Sequence, residues 1–322
     1  MRALQVTELT GPEAVTVTSE APEPEVGDGV LIEVEAGGLA FPDLLLTRGK
    51  YQVKPDLPFT LGTEVAGTVA AAAEESGFAP GERVMAITFG GLAERAVAEP
   101  HMTFRLPRSF SMEQGAGFIL NYHTSHFALH RRGALKEGET VLVHGAAGGV
   151  GTAAIQIARG SRARTIGVVS NDEKERVARE MGADEVVRGD GDWLAAVREL
   201  TGGRGVDVLY DPVGGERFAD SVRALAPEGR LLVVGFAGGQ IPTVTANRLL
   251  LRNVSVVGVG WGEFAWDRPE LMAEIGADLE RLAQDGHVQP LVGRSYPLEE
   301  GVRALRDLEE RRATGKLVLT LR

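Results

Sequence analysis

The segment Val141-Leu142-Val143-His144-Gly145-Ala146-Ala147-Gly148-Gly149-Val150-Gly151 runs from an apolar stretch straight into glycines and on into a helical pattern. On the spacing G-x-G-x-x-G it reads Ala146-x-Gly148-x-x-Gly151, with alanine in the first glycine place. Glycine at the second place lets the backbone approach a pyrophosphate. Glycine at the third lets a helix pack on its strand, and the helix N-terminus stabilises the anion. Ala147, Gly148, Gly149 and Val150 are therefore candidate contacts for a dinucleotide. The alternative is a tight strand-to-helix turn that holds nothing.

About 20 residues on, an acid would bond a ribose 2′-OH, but Val168-Val169-Ser170-Asn171 offers none at the strand tip. Ser170 and Asn171 can donate to a 2′-phosphate, Lys174 adds a charge one turn into the next helix, and Arg188 ends the following strand. This set favours NADPH over NADH, with Asp172 and Glu173 standing by as acids able to turn inward. The plain alternatives are an N-cap for Asn171 and solvated charges for Lys174 and Arg188. His123, His126 and His130 are spaced i, i+3 and i+7 on one expected helix, a spacing that can bring imidazoles to zinc. No acid follows them in helical register, and His144, ending a buried strand, reads as a hydrogen-bonded core histidine. The absence of cysteine excludes disulfides, Cys-ligated metals and a cysteine nucleophile.

A parallel sheet must hold the glycine loop. From about Thr140 short apolar runs alternate with helical patterns: strands are expected at Thr140–His144, Arg164–Val169, Glu185–Arg188, Val206–Tyr210, Arg230–Val234 and Ser255–Val259. Helices are expected at Val150–Arg159, Asp172–Met181, Trp193–Thr201, Glu216–Leu225 and Ala246–Leu251. This is an α/β, doubly wound parallel sheet of the Rossmann kind. The first 120 or so residues differ: β-branched alternation with Pro and Gly punctuation predicts an antiparallel, barrel-like module. After Trp261 come a helix Pro269–Asp285, a charged helix Leu298–Arg312 with a solvated face, and a closing strand Lys316–Leu321.

With 322 residues the chain suggests two domains. Its 34 basic against 45 acidic residues, a net charge of −11, argue against a nucleic-acid partner. No apolar run nears the length of a membrane span, and polar residues interrupt the start before a signal-peptide core could form, so a cytoplasmic location is expected.

As a whole the chain resembles the medium-chain dehydrogenase/reductase superfamily, and within it the zinc-free quinone oxidoreductases related to zeta-crystallin. The residues that carry this are Gly62-Thr63-Glu64-Val65-Ala66-Gly67, Gly81-Glu82-Arg83-Val84, the glycine loop, Asp211-Pro212-Val213-Gly214-Gly215 and Ala313-Thr314-Gly315-Lys316-Leu317-Val318. The resemblance implies a GroES-like β-barrel catalytic domain from 1–120 and 263–322, with a Rossmann NADP-binding domain inserted at 121–262. Zinc relatives hold their metal by a Cys and a His, whose places here are Ala40 and Thr63, so no metal is expected. The implied activity is metal-free hydride transfer from NADPH to a quinone. The alternatives are reduction of α,β-unsaturated carbonyls or enoyl thioesters, and a non-catalytic NADPH-binding protein.

By the same resemblance Tyr51, eight residues after Asp43, is a candidate acid or a pocket-lining residue; Asp43 is expected to fix its loop by bonding backbone groups. Thr124 matches a carboxamide contact. Val213, Gly235, Phe236 and Trp261 match residues along the nicotinamide, and Arg312 and Lys316 match the region that meets the cofactor phosphates. Relatives commonly pair through the edge of the Rossmann sheet, so a homodimer seam is expected at Ser255–Val259.

Overall fold

A computed structural model describes residues 1–321. Contacts divide the chain into two units. One comprises Met1–Leu120, Trp266–Gly276 and the residues from Gln289 onward; the other comprises Asn121–Ala265 and Ala277–Val288. The break between Gly276 and Ala277 falls inside the helix Pro269–Gln284, so residues 277–288 pack with the unit that carries the glycine loop, beyond the boundary expected at 262.

In the first unit a seven-stranded sheet runs in the order Val292–Pro297, Lys316–Thr320, Val30–Leu39, Glu64–Ala72, Arg83–Ile87 and Thr103–Arg105, with Arg95–Ala98 also paired to Val30–Leu39. All its pairings are antiparallel except that of Val292–Pro297 with Lys316–Thr320. The alternation of Val30, Ile32 and Val34 buries one face of the central strand in a core shared with Val65, Val84, Leu317 and Leu319. A smaller sheet sets Ala3–Val6 between Val15–Thr18 and Phe59–Thr60. The closing strand therefore sits next to the longest strand of the unit.

The second unit is a six-stranded parallel sheet in the order Glu185–Arg188, Arg164–Val169, Thr140–His144, Val206–Asp211, Leu225–Val233 and Ser255–Gly258. This is the doubly wound order, in which the connections diverge after the first strand. Val141, Leu142 and Val143 are all buried, as a strand covered on both faces requires. The strand Leu225–Val233 starts five residues before the expected Arg230, because Leu225 pairs with Val206 ahead of a register shift. The charged helix shortens to Gly301–Glu309, its expected first turn being a 3-10 turn at Leu298–Glu300. Among the described residues no helix is long and apolar enough to cross a membrane.

Candidate functional site

The dinucleotide loop forms as its glycines demand. Gly145 leaves the strand at φ +60°, Gly148 donates its N–H to Gly145 O at 2.9 Å, and the helix Gly149–Gly160 starts after Gly148. A Cβ on Gly151 would lie 2.2 Å from Gly145 O, so only glycine lets the helix approach the turn this closely. No side chain caps the helix. Its first turn thus directs backbone N–H groups and the positive end of the helix dipole outward, which suits an anionic phosphate.

Neighbouring loops close around this turn. Asp211, at the end of its strand, accepts the N–H groups of Val213 and Gly214, both at 2.9 Å, through Oδ1. Gly235, Ala237 and Gly238 donate in turn to Asp211 O, Pro212 O and Val213 O, so Val213, Gly235 and Phe236 are brought together beside Gly145. Ser125 Oγ donates to Val150 O at 3.1 Å, which seats the helix Ile119–His126, and with it Thr124, against the first turn of the glycine helix. Trp261 is buried with its ring 5.6 Å from that of His123.

At the tip of the next strand Ser170, Asn171, Lys174 and Arg188 meet. Asn171 caps the helix Asp172–Glu180 by accepting the Lys174 N–H at 2.8 Å. Arg188 Nη2 donates to Ser170 O at 3.0 Å and Nη1 pairs with Asp172. The Asp172 side chain is 98% exposed, so a phosphate arriving here competes with a solvated carboxylate for the guanidinium.

Arg312 and Lys316, expected against cofactor phosphates, both pair with carboxylates of the first unit, Arg312 with its side chain half exposed and Lys316 buried. Arg312 donates to Asp307 at 2.7 Å and also pairs with Glu310, while the fully buried Lys316 ammonium pairs with Glu64. An ammonium held this way is not a phosphate ligand, because leaving would strand Glu64 as a buried, unpaired charge.

Asp43, Glu64 and Lys316 form a charged cluster that is 0%, 1% and 3% exposed. Asp43 sits in the helix Phe41–Leu46, where Oδ2 accepts the Ala40 N–H at 2.8 Å and Oδ1 the Gly62 N–H at 3.2 Å. Its carboxylate thereby ties the backbone next to Thr63 to that of Ala40. Glu64 accepts the Leu120 N–H at 3.0 Å through its second oxygen. Gly38, opposite Glu64 in register, makes the space: a Cβ there would fall 2.8 Å from Glu64 Cγ and 2.0 Å from Ala116 O. Burial pushes the Asp43 carboxyl up to about 6, against the pull of the Ala40 N–H and Lys316. Tyr51 is half-buried and packs on the core of this unit.

Sequence reasoning passed over Glu64 and Asp211. The signal was available as a lone acid inside an apolar run, Val65-Ala66 after Glu64 and Val208-Leu209-Tyr210 before Asp211. Of the histidines, His126 and His130 lie with ring centroids 4.5 Å apart and tilted by 46°, His126 faces Asp278 at 3.3 Å and His130 faces Ser161 at 3.3 Å.

Comparison with known proteins agrees with this layout. A family model described as alcohol dehydrogenase GroES-like domain matches residues 27–124, and one described as zinc-binding dehydrogenase matches residues 149–277. Quinone oxidoreductase-like protein 2 of Rattus norvegicus is 37% identical over 100% of this chain and 92% of its own. A probable oxidoreductase from Mycobacterium abscessus is 46% identical, with a TM-score of 0.91 over 100% of this chain and 99% of that one. A mycobacterial protein solved in complex with NADPH is 34% identical, with a TM-score of 0.93 over the whole of both chains. The zinc in the second description does not fit the residues present. Ala40 and Thr63 offer a methyl and a hydroxyl, and among the described residues no group of three or more His, Asp or Glu side chains is placed to hold a metal ion.

The Asp43 carboxyl gives a pH signature. Its value rises from 3.8 unfolded to about 6 folded, so the folded state binds its proton more tightly. The stability this provides is complete below about 4 and is lost as pH rises through 6, amounting to about 3 kcal/mol. Asp43→Asn lacks the titration. Urea unfolding should therefore show the wild-type stability, relative to Asp43→Asn, falling by about 2 kcal/mol between pH 4 and pH 7; a flat difference would mean an ordinary carboxyl.

Proposed function

Because the chain belongs to the medium-chain dehydrogenase/reductase superfamily, in its quinone oxidoreductase-like group, we propose that it is an NADPH-dependent oxidoreductase that passes hydride to a quinone without a metal. The observation that carries this reading is the combination, in one chain, of a glycine cradle fitted to a dinucleotide with Ala40 and Thr63 where metal ligands would stand. The cofactor supplies the hydride. The chain's residues do the rest: the first turn of Gly149–Gly160 holds the pyrophosphate, and Arg188 and Lys174 hold the 2′-phosphate at the strand tip. Thr124, Val213, Gly235, Phe236 and Trp261 are proposed along the nicotinamide.

Without a Lewis acid to polarise it, the acceptor must accommodate the developing negative charge itself. A quinone does so by delocalising it through the ring, and solvent then supplies the proton. An α,β-unsaturated carbonyl needs an acid at hand, and Tyr51, half-buried on the barrel core, is the residue that would serve. Asp43 acts by fixing the backbone at Ala40 and Gly62.

A second copy of the chain is the proposed partner. Ser255–Gly258 is an edge strand of the parallel sheet, and Leu250 and Leu251, at the end of the helix just before it, are 75% and 78% exposed. An open edge flanked by apolar side chains favours pairing with an identical edge.

Three measurements follow. NADPH oxidation should be rapid with a benzoquinone or a naphthoquinone and slow with an enone or an enoyl thioester; the reverse order, abolished by Tyr51→Phe, would establish the enone reading, and NADPH binding without turnover the non-catalytic one. Arg188→Ala or Lys174→Ala should weaken NADPH about tenfold in a fluorescence titration and leave NADH unchanged; equal effects on both cofactors would remove the 2′-phosphate assignment. Light scattering should give a dimer that Leu250→Glu combined with Leu251→Glu converts to monomer, and a monomeric wild type would end the proposal.

A further inference from the structure

The strands Thr140–His144 and Val206–Asp211 run in parallel with Val141 opposite Val208 and Val143 opposite Tyr210. One step further along the same register brings His144 alongside Asp211, where both strands end. The two side chains are 0% and 1% exposed. The edge of Trp193 closes one side of the imidazole, with ring centroids 5.0 Å apart at 85°.

Their hydrogen bonds fix what lies between them. Ser221 donates its hydroxyl to Arg217 O at 3.0 Å, so in its 2.9 Å contact with His144 Nε2 it accepts. The imidazole proton is therefore on Nε2, and Nδ1 presents a lone pair. Burial disfavours the charged imidazole and keeps the ring neutral at neutral pH. Asp211 uses Oδ1 for the N–H groups of Val213 and Gly214. His144 Nδ1 and Asp211 Oδ2 are buried with no hydrogen-bond partner among the described residues. Two acceptors cannot satisfy each other, and two bare acceptors at this depth are costly. A neutral donor with two hydrogens satisfies both.

We propose that one water molecule is an integral part of this unit, donating one hydrogen to His144 Nδ1 and the other to Asp211 Oδ2, and that it latches together the two loops that follow these strands. One is the Gly145 turn. The other is Pro212-Val213-Gly214, whose Val213 side chain lies 3.4 Å from where a Cβ on Gly145 would stand. His144 and Asp211 are thus positioning residues for dinucleotide binding. Their effect on affinity rests on the proposed reading that these loops hold NADPH.

The test combines NADPH titration by fluorescence with two-bond 1H–15N correlation spectra of His144 at pH 7. The spectra should give the Nε2–H tautomer with Nδ1 shifted as a hydrogen-bond acceptor. Asp211→Asn keeps Oδ1 for the loop and lets its amide donate to the water, which still donates to Nδ1, so NADPH affinity should stay within about threefold of wild type. Asp211→Leu and His144→Phe leave a bare acceptor or an unanchored loop and should weaken NADPH about tenfold or more. An Nδ1–H or doubly protonated His144 overturns the proposal, as does an Asn variant as weak as the Leu variant. If Asp211→Leu fails to fold, the spectra and the Asn variant still decide. A wild type that binds no NADPH ends the functional reading, while the tautomer still decides the water.

Discussion

A buried carboxylate must be given donors, and both units of this protein are organised around that requirement. In the first unit the donors to Asp43 and Glu64 are backbone N–H groups and one lysine drawn from four separate stretches of chain: Ala40, Gly62, Leu120 and Lys316. In the second they are the N–H groups of Val213 and Gly214, gathered onto Asp211. In each case the carboxylate fixes a loop that an all-apolar core would leave free to choose among conformations. Hydrophobic contacts alone are not directional enough to do this.

The cluster in the first unit explains why the closing strand is where it is. Lys316 opens the strand that pairs with Val30–Leu39, and its ammonium reaches Glu64 across the place where Gly38 has no side chain. Burial in this dry site raises the Asp43 carboxyl despite its two N–H donors and the Lys316 ammonium, with the Glu64 charge adding to the rise. A buried pair of this kind is weak evidence of stability gained, since desolvation offsets much of the attraction.

The glycine loop rests on a complementary constraint, closeness rather than charge. Gly151 lets the helix Gly149–Gly160 sit on the Gly145 carbonyl, and the loop after Asp211 is laid against the same turn by the backbone bonds from Gly235, Ala237 and Gly238. Helix dipole, uncapped first turn and the basic strand tip at Arg188 together make one end of the sheet attractive to a phosphorylated ligand.

Much of this was legible in the residue order. Period-two alternation from Val30, apolar runs separated by helical patterns from Thr140, and the glycine spacing each report a local rule of backbone geometry, and local rules are carried by neighbours in sequence. Ala40 and Thr63 likewise offer only a methyl and a hydroxyl, neither of them a good zinc ligand. Partners of charged side chains are another matter. Nothing in the chain order places Lys316 beside Glu64, 252 residues away, or shows that Arg188 holds Asp172 and the Ser170 carbonyl. The tautomer of His144 depends on a Ser221 hydroxyl that is itself committed elsewhere. The sequence determined the two kinds of sheet, the glycine cradle and the side chains that stand at positions 40 and 63. Only the tertiary structure decided which charges are spoken for, because ion pairing and hydrogen bonding depend on distance in space, and chain order does not set that distance.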